Sequence, residues 1–315
     1  MKDQKIVIAG GSGFIGMQLA ARWVKDNQVI ILTRNSNHAV NNSYTKVTLT
    51  DGVQMVQWDG KNAGEWAKAL EGCDLLLNLA GRTVNCRYNA QNRTEIMNSR
   101  VVATHVLGEA IEDLKQPPAL WINGASTTIY RHAEDRPQDE FTGEMENDFS
   151  VQVCKRWEAA FNEIHLPSTR KVILRMAIVL GQGGVLVPYS WLARLGIGGK
   201  HGSGRQMFSW VHIADVARII EWIVEHKEQT GVFNAAAPGP IQNAEFMRLL
   251  RQFYKMPVGI AAPKWLLEIA AFIHRTETEL LLKSRWVLPT RLQNEGFNFE
   301  YSKMENALSG LLYVK

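Results

Sequence analysis

The sequence has few cysteines and no long apolar run, and both shortages exclude classes of protein. Its three cysteines, Cys73, Cys86 and Cys154, are odd in number and widely spaced, which fits neither a disulfide framework nor a zinc site. We therefore expect no metal and three reduced thiols in a cytoplasmic protein. The longest apolar stretch near the C-terminus, residues 258–273, is interrupted by proline and charged side chains, and the N-terminus lacks the pattern of a secretory signal. The expectation is a protein without a membrane segment.

The sequence also lacks a large excess of charge of either sign, because 35 lysines and arginines oppose 31 aspartates and glutamates, for a net charge of +4. The basic residues are scattered rather than gathered into a stripe, so the sequence does not indicate a nucleic-acid-binding protein. With 315 residues, 46% of them hydrophobic, the chain can bury a large core without disulfide or metal staples. The length suits one large α/β domain, or one domain with a smaller lobe.

The first half of the chain alternates short apolar runs with segments of helical periodicity. The predicted strands are Lys5–Ala9, Val29–Thr33, Val53–Trp58, Asp74–Leu79, Ala119–Asn123 and Lys171–Arg175. The predicted helices among them are Met17–Lys25, Arg93–Leu114 and Phe149–Ile164. Near-continuous apolar strands separated by helices are typical of a parallel sheet that is buried on both faces. The sequence therefore predicts an α/β fold, a Rossmann-like doubly wound parallel sheet with helices on both faces.

The pattern changes after residue 176, where a glycine-rich region with interleaved large apolar residues begins. Further on we predict a short strand at Val232–Ala236. We also predict helices at Asp215–His226, Asn243–Tyr254 and Pro263–Leu312, the last of them with a break at Pro289. We expect residues 1–176 to form the main domain, with 207–236 returning to it. Residues 177–206 and 237–315 would then form a smaller, mostly helical C-terminal lobe.

A glycine-rich turn directly follows the first predicted strand and opens the first predicted helix. It comprises Gly10, Gly11, Ser12, Gly13, Phe14, Ile15 and Gly16. Glycines at this spacing allow a sharp turn, a close approach of the backbone to a pyrophosphate and close packing of the helix on the sheet. The N-terminus of the helix then offers free N–H groups to the phosphates. The alternative is an ordinary strand–helix turn, but this context favours a dinucleotide site.

The residues that follow the second predicted strand indicate which dinucleotide binds. An acidic residue there would hold the ribose 2′-hydroxyl of NAD, whereas an arginine accommodates the 2′-phosphate of NADP. The strand ends at Thr33, and Arg34, Asn35 and Ser36 follow it without an acidic residue. A guanidinium can bind a phosphate through two hydrogen bonds. We therefore predict NADP(H), the alternative being a solvated surface arginine.

Several longer motifs resemble a known family. They are GGSGFIG at 10–16, LLNLAG at 76–81, VNCRYNAQNR at 84–93, NSRVVAT at 98–104, GASTTIY at 124–130, CKRWEAAF at 154–161, LRMAIVLG at 174–181, GSGRQMFSWVHIADV at 202–216, NAAAPGPIQNAEF at 234–246 and VLPTRLQNEGFNFEY at 287–301. The chain resembles an extended short-chain dehydrogenase/reductase. It is most similar to the atypical "epimerase family" proteins, NAD-dependent epimerase/dehydratase-like chains that end in a domain of unknown function.

The resemblance implies positions for a cofactor and for one catalytic hydroxyl. Asp59 would lie near the adenine, and Ser126 would be the family's catalytic serine or threonine. Leu79, Ala80 and Gly81, in the loop after the fourth strand, would line the ribose of the cofactor. Asn98, in the next helix, completes the expected cofactor site.

The chain departs from the family at its catalytic pair. The tyrosine and lysine of Tyr-x-x-x-Lys correspond to Ser150 and Cys154, and neither side chain can replace a phenol beside an ammonium group. Tyr130 is one candidate for a substitute acid/base. Cys86 and Cys154 are candidates for a reactive thiol facing the nicotinamide, although both also suit small packing residues.

The resemblance further implies a small-molecule substrate bound beside the smaller lobe. Lys200, His201 and Arg205 lie in the glycine-rich region and suit an anionic substrate, unless that region is only a surface loop. His212 is a candidate for proton transfer, or else a structural histidine paired with Asp215. The resemblance also implies a homodimer through the helices at 93–114 and 149–164.

Two functions therefore remain open. The first is an NADP(H)-binding oxidoreductase or sugar-nucleotide-epimerase-like enzyme with an atypical active site. The second is a non-catalytic NADP(H)-sensing or regulatory binding protein, which the loss of the Tyr and Lys positions favours. Fold alone does not decide between them.

Overall fold

A central parallel sheet organises the chain. The computed structural model describes residues 1–35, 51–273 and 275–312, so Ser36 lies outside the described residues. In these ranges the strands are β1 (Lys5–Ala9), β2 (Gln28–Thr33), β3 (Gln54–Gln57), β4 (Leu75–Asn78), β5 (Leu120–Ser126), β6 (Arg170–Met176), β7 (Ile178–Leu180), β8 (Met207–Phe208), β9 (Trp210–His212), β10 (Gly231–Ala235) and β11 (Ile241–Gln242). The helices are α1 (Phe14–Trp23), α2 (Ala90–Glu112), α3 (Phe149–Glu163), α4 (Leu186–Arg194), α5 (Ile213–Glu225), α6 (Asn243–Phe253), α7 (Lys264–Ile273), α8 (Glu279–Leu282), α9 (Thr290–Asn294) and α10 (Met304–Leu312).

The main sheet confirms the predicted doubly wound α/β fold. Within the described ranges it has seven strands in the order β10-β6-β5-β4-β1-β2-β3, and each neighbouring pair is parallel. One face packs on α1 and α5 through residues such as Leu19 and Ile220, and the other packs on α2 and α3 through residues such as Leu107 and Phe161. Because the strand order reverses between β1 and β4, the carboxyl ends of these two strands form the crevice where this fold binds ligands.

A third apolar cluster lies outside the sheet. It joins α4, α6 and α10 around stacked aromatic rings, with Phe208 and Phe246 centred 4.4 Å apart. The segment 207–236 contributes β10 to the main sheet and packs α5 against one face of it. The domain boundaries predicted from the sequence stay a prediction. Among the described residues, no helix is both long enough and apolar enough to cross a bilayer.

Local capping explains where the observed helices depart from the predicted ranges. Helix α2 starts at residue 90 rather than 93 because the Asn89 side chain accepts a hydrogen bond from the Asn92 N–H at 2.8 Å. Helix α5 starts at residue 213 because His212 caps it, its Nδ1 accepting from the Ala214 N–H at 3.1 Å. Apolar periodicity does not register such caps.

The C-terminal region contains more extended chain than the helical prediction allowed. Between α8 and α9, residues 283–289 cross the molecule and form isolated bridges from Arg285 to Phe208 and from Val287 to Gln138. The Arg285 N–H donates to the Met207 carbonyl at 2.9 Å, and the Arg285 carbonyl accepts from the Ser209 N–H at 3.1 Å. This crossing carries Arg285 from the C-terminal segment to the end of the main sheet.

Candidate active site

The glycine-rich turn has the geometry of a phosphate-binding turn. Gly10 has a φ of +70°, and a Cβ there would lie 2.7 Å from the Ala80 Cα, so only glycine fits between β1 and the loop after β4. A Cβ on Gly13 would meet nothing closer than the Gly10 carbonyl oxygen at 3.7 Å, which leaves this face of the turn open. Helix α1 begins there without a side-chain cap, so its first N–H groups are available to a phosphate.

The end of β2 lies against this turn. The Thr33 hydroxyl donates to the Ser12 hydroxyl at 2.9 Å, and the exposed Arg34 and Asn35 follow directly. Within the part of the chain that the structure describes, no carboxylate forms an ion pair with Arg34. A cation at this position, next to an open phosphate-binding turn, suits the 2′-phosphate of NADP.

Buried amides hold the loop after β4 beside the glycine turn. The Asn78 Oδ1 accepts from the Ala80 N–H at 3.0 Å, and its Nδ2 donates to the Asn123 Oδ1 at 2.8 Å. This places Leu79, Ala80 and Gly81 at the carboxyl end of the sheet, as expected for residues that line a cofactor.

The two remaining cofactor predictions have less defined surroundings. Asp59 follows β3 and accepts hydrogen bonds from the Lys61 and Asn62 N–H groups and the Asn62 side chain, which lower its pKa. Asn98 is exposed on α2. The cofactor roles of both residues stay predictions.

A tyrosine from the loop before α2, Tyr88, packs against the start of α3. The Ser150 side chain, at the family's tyrosine position, lies within hydrogen-bonding reach of the Tyr88 hydroxyl, and the Tyr88 ring packs edge-on against Phe149 with the ring centres 5.0 Å apart. Burial raises the pKa of Tyr88 to about 12, with the hydrogen bond from Ser150 opposing the shift. A tyrosine from the loop before α2 therefore reaches the place where α3 lacks one, and it keeps its proton at neutral pH.

The end of β5 adds two hydroxyls to this site. The Ser126 hydroxyl donates to the Thr128 hydroxyl at 3.1 Å, and it accepts from the Thr128 N–H at 3.2 Å. The Thr128 hydroxyl in turn accepts from the Arg285 Nε at 3.2 Å. Ser126 is thus linked through Thr128 to an arginine that the C-terminal segment supplies.

Two arginines flank this group of hydroxyls. The Arg100 guanidinium lies 5.3 Å from the Trp157 ring centre, and its Nη1 donates to the Ile96 carbonyl at 2.9 Å. Arg285 is 9% exposed. Burial lowers the pKa of both guanidinium groups, and both interact electrostatically with Tyr88 and Cys154. Positive charge therefore surrounds the position at which the family has its lysine.

Cys154 does not have the surroundings of a reactive thiol. Its side chain is 5% exposed, and burial together with the charge of Glu158 raises its pKa to about 12, although three arginines act in the opposite direction. A reactive cysteine needs a thiolate, which this pKa disfavours at neutral pH. Cys86 is partly exposed, with its Sγ 3.8 Å from the Thr83 carbonyl oxygen. The environment of Cys154 favours the alternative of an inert packing residue, and the role of Cys86 stays a prediction.

Tyr130 is occupied by a different network. Its hydroxyl donates to the Asn234 Oδ1 at 3.1 Å and accepts from the Arg175 Nη1 at 2.8 Å, and its side chain is 2% exposed. Arg175 also forms two hydrogen bonds with the Glu158 carboxylate, at 2.8 and 2.7 Å. The Tyr130 hydroxyl is therefore already hydrogen-bonded inside the fold. These contacts do not support the predicted acid/base role of Tyr130 and indicate a structural residue instead.

The predicted substrate-side residues have other partners. Arg205 is exposed, and its Nε lies 3.9 Å from a Glu134 carboxylate oxygen. His212 caps α5 and stacks on Tyr301 with ring centres 3.7 Å apart, and burial lowers its pKa to about 4. The Asp215 carboxylate bonds to Arg218 and to backbone N–H groups rather than to His212. Substrate contacts for Arg205 and His212 stay predictions that these interactions do not support.

Sequence reasoning missed Tyr88, Arg100 and Arg285 as site residues. The signal was present for Tyr88, since it lies within the VNCRYNAQNR motif that carries the family resemblance. Arg285 lies two residues before the start of another such motif, at 287–301. Neither motif reveals that these side chains meet, because the meeting depends on two crossing segments.

Comparisons with known proteins identify the family and agree with the fold. A model described as the NAD dependent epimerase/dehydratase family matches residues 6–236, and a domain of unknown function matches residues 262–311. The human epimerase family protein SDR39U1 is 31% identical, over 98% of this chain and 99% of its own length. The epimerase family protein YfhF of Bacillus subtilis is 29% identical, over 98% of this chain and 97% of its own. The crystal structure of human SDR39U1 (isoform 2) with NADPH has a TM-score of 0.82 at 29% identity, covering 97% of this chain and 98% of that chain.

Proposed function

The chain belongs to the NAD-dependent epimerase/dehydratase family, and on that premise we propose that it is an NADP(H)-dependent oxidoreductase or epimerase-like enzyme acting on a small-molecule substrate. The observation that carries the proposal is the open glycine turn, which contacts the end of β2 through Ser12 and Thr33, next to the exposed Arg34. The crystal structure of the human relative with NADPH supports the same cofactor.

The residues at the carboxyl end of the sheet suit each part of this cofactor. The N–H groups around Gly13 would hold the pyrophosphate, Arg34 the 2′-phosphate and Ala80 the ribose. NADPH supplies a hydride when bound. The chain must then orient the substrate and provide or accept a proton.

The proton is assigned to hydroxyls rather than to the usual Tyr and Lys pair. Tyr88 keeps its proton at pH 7, because burial raises its pKa to about 12, and it can donate a hydrogen bond to a substrate oxygen. Ser126 and Thr128 add two hydroxyls at the end of β5, joined to each other at 3.1 Å. Arg100 and Arg285 would stabilise negative charge on the substrate where the family uses a lysine.

The cofactor proposal is tested by fluorescence titration with NADPH and with NADH. We expect Arg34→Ala to weaken NADPH binding about tenfold or more and to leave NADH binding nearly unchanged, because only NADPH carries the 2′-phosphate. Arg248→Ala, an exposed arginine paired with Glu245, is the matched control and should change neither affinity. Binding of neither nucleotide by the wild type would refute the proposal.

A non-catalytic NADP(H) sensor is the second candidate, and Ser150 and Cys154 favour it because they lack the family's acid/base chemistry. Turnover separates the two functions. An enzyme should oxidise NADPH with some member of a panel of carbonyl compounds, and Tyr88→Phe and Ser126→Ala should slow that reaction without weakening NADPH binding. Tight NADPH binding without turnover, together with a cofactor-dependent change in oligomeric state, would favour the sensor.

A further inference from the structure

We infer that Arg100 and Arg285 form a binding site for an oxyanion, the carboxylate or phosphate group of the substrate, beside Tyr88 and Ser150. The inference names the substrate class of the proposed enzyme and so rests on the proposed function. It differs from the sequence expectation, in which the anion would contact Arg205 in the glycine-rich region.

The first argument is that Arg285 is buried without a counter-charge. A buried guanidinium is costly unless a carboxylate or another anion compensates it. Within the described ranges, no carboxylate lies within 4.0 Å of the Arg285 guanidinium, whose Nε donates to the neutral Thr128 hydroxyl. The two carboxylates that act on Arg285 at longer range, Asp148 and Glu279, lie 2.5 and 3.9 Å from the Lys283 ammonium instead.

Arg100, which is partly buried, also lacks a counter-charge. Its Nη1 donates to a backbone carbonyl of its own helix, and in the part of α2 and its surroundings that the structure describes no carboxylate pairs with it. A Cβ on Gly81 would lie 3.1 Å from the Arg100 Cζ, so the absence of a side chain at Gly81 makes room for the guanidinium at the cofactor loop. This arginine is therefore seated against the predicted ribose-binding loop.

The two guanidinium groups converge on one place from different segments. The Arg100 guanidinium lies 5.3 Å from the ring centre of Trp157 on α3. The Arg285 Nε donates to Thr128 in the turn after β5, and Ile129 of the same turn packs in one apolar cluster with Cys154 of α3. Both arginines therefore flank α3, and both interact electrostatically with Tyr88 and Cys154. Burial raises the pKa of the phenol and of the thiol to about 12, so neither supplies negative charge at neutral pH. The local balance is three cations, including Lys283, against the two carboxylates that Lys283 already contacts. The remaining positive charge matches one anionic group.

The chemistry of the donors favours an oxyanion over a halide. Each guanidinium offers a planar fork of N–H donors, which matches carboxylate or phosphate oxygens. The Tyr88 and Ser150 hydroxyls add neutral donors to the same place. An anion held there would lie next to Ser126 and Thr128 at the end of β5, where the proposed reaction needs its substrate.

The test is an anion titration of the protein saturated with NADPH, so that the glycine turn and Arg34 are already occupied. Succinate and inorganic phosphate are the two probes, titrated by calorimetry with ionic strength held constant by sodium chloride. We expect saturable binding of at least one probe, and the preferred probe identifies a carboxylate or a phosphate substrate. Arg100→Gln and Arg285→Gln should each weaken that binding about tenfold or more.

Arg248→Gln is the matched control, because it removes the same charge from an exposed arginine that pairs with Glu245 on α6, and this variant should bind the probe as the wild type does. NADPH titration of each variant shows that the sheet and its cofactor turn are intact. Gly81→Ala is a second variant, which keeps both arginine charges but displaces the Arg100 guanidinium. It should weaken binding of the anion about threefold or more.

Two results would overturn the inference: no saturable binding of either anion, or binding that Arg100→Gln and Arg285→Gln leave unchanged. Failure of the proposed function is distinguishable from this. If the wild type does not bind NADPH, the proposed function fails, but the anion titration can be run without cofactor. It still tests the oxyanion site, because the criterion is whether anion binding depends on Arg100 and Arg285.

Discussion

Two buried arginine sites lie close together in this protein, and they differ in their counter-charge. In the first, the closed site, Arg175 on β6 has two hydrogen bonds to Glu158 and a third to Tyr130. In the second, the open site, Arg100 and Arg285 have no carboxylate partner among the described residues. The first arrangement stabilises a fold and the second suits a ligand, so the same side chain serves different purposes according to what surrounds it.

One face of α3 connects the two sites. Ser150, Cys154 and Glu158 follow one another at four-residue intervals, so they form a single stripe along the helix. Ser150 contacts Tyr88 in the open site, whereas Glu158 binds Arg175 in the closed site. Burial acts to lower the pKa of Arg175, but Glu158 outweighs it and raises that pKa above its usual value. For Arg100 and Arg285, burial lowers the pKa without such compensation.

The largest expected effect comes from opening the closed site. Glu158→Gln leaves the Arg175 guanidinium buried and unpaired, and it should lower the free energy of unfolding by about 3–5 kcal/mol. Equilibrium unfolding in urea measures this change. Glu245→Gln, which breaks the exposed pair with Arg248, is the control and should cost about 0.5 kcal/mol or less.

Removing a charge from the open site should change the free energy of unfolding much less than Glu158→Gln does. Arg285→Met takes away a guanidinium that has no counter-ion, so the free energy of unfolding should fall by about 1 kcal/mol at most, or rise. A loss as large as that of Glu158→Gln would mean that Arg285 has a structural partner, and the contrast between the two sites would fail.

The next effect is a pH dependence near the open site. His201 stacks on Tyr189, whose ionisation Arg285 also influences, and burial lowers the pKa of His201 to about 4. The unfolded chain takes up this proton below pH 6.5 while the folded protein does not, so stability is lost as the pH falls from 6.5 towards 4. Between pH 7 and pH 5, His201 should account for about 2 kcal/mol of that loss.

Urea unfolding at pH 7 and pH 5 measures this loss. His201→Asn should reduce the difference between the two pH values, whereas His165→Asn, at an exposed loop position, should keep the wild-type difference. His212, whose pKa burial also lowers to about 4, contributes a similar term in both variants. An unchanged difference in His201→Asn would show that His201 is protonated in the folded state.

The smallest expected difference between paired variants is that between the two tyrosines. Tyr130→Phe removes a hydroxyl that Arg175 and Asn234 both bind, and it should cost about 1.5–2 kcal/mol of stability. Tyr88→Phe removes one hydrogen bond to Ser150 in a partly exposed place and should cost about 1 kcal/mol or less. Equal costs would mean that Tyr88 is as structural as Tyr130, and its proposed role as a proton donor would lose its basis.

Much of the fold and of the cofactor turn could be predicted because their signals are local. The strand at Lys5–Ala9, the turn at Gly10–Gly16 and the helix that follows are adjacent in sequence, so spacing and periodicity describe them directly. The position of Arg34 follows in the same way from the end of the second strand. Helix starts were less accurate, because the caps at Asn89 and His212 depend on single side-chain hydrogen bonds.

The proposed site around Tyr88, Arg100 and Arg285 could not be predicted, because it joins residues that are far apart in the chain. The sequence by itself determined the parallel sheet, the open glycine turn, Arg34 and the absence of a tyrosine and a lysine at Ser150 and Cys154. Only the tertiary structure decided that residues 283–289 run extended beside β8, which brings Arg285 towards Tyr88. It also decided that Tyr130 contacts Arg175. The physical reason is that a buried charge acquires its role from its neighbours, and those neighbours come from segments that only the folded chain brings together.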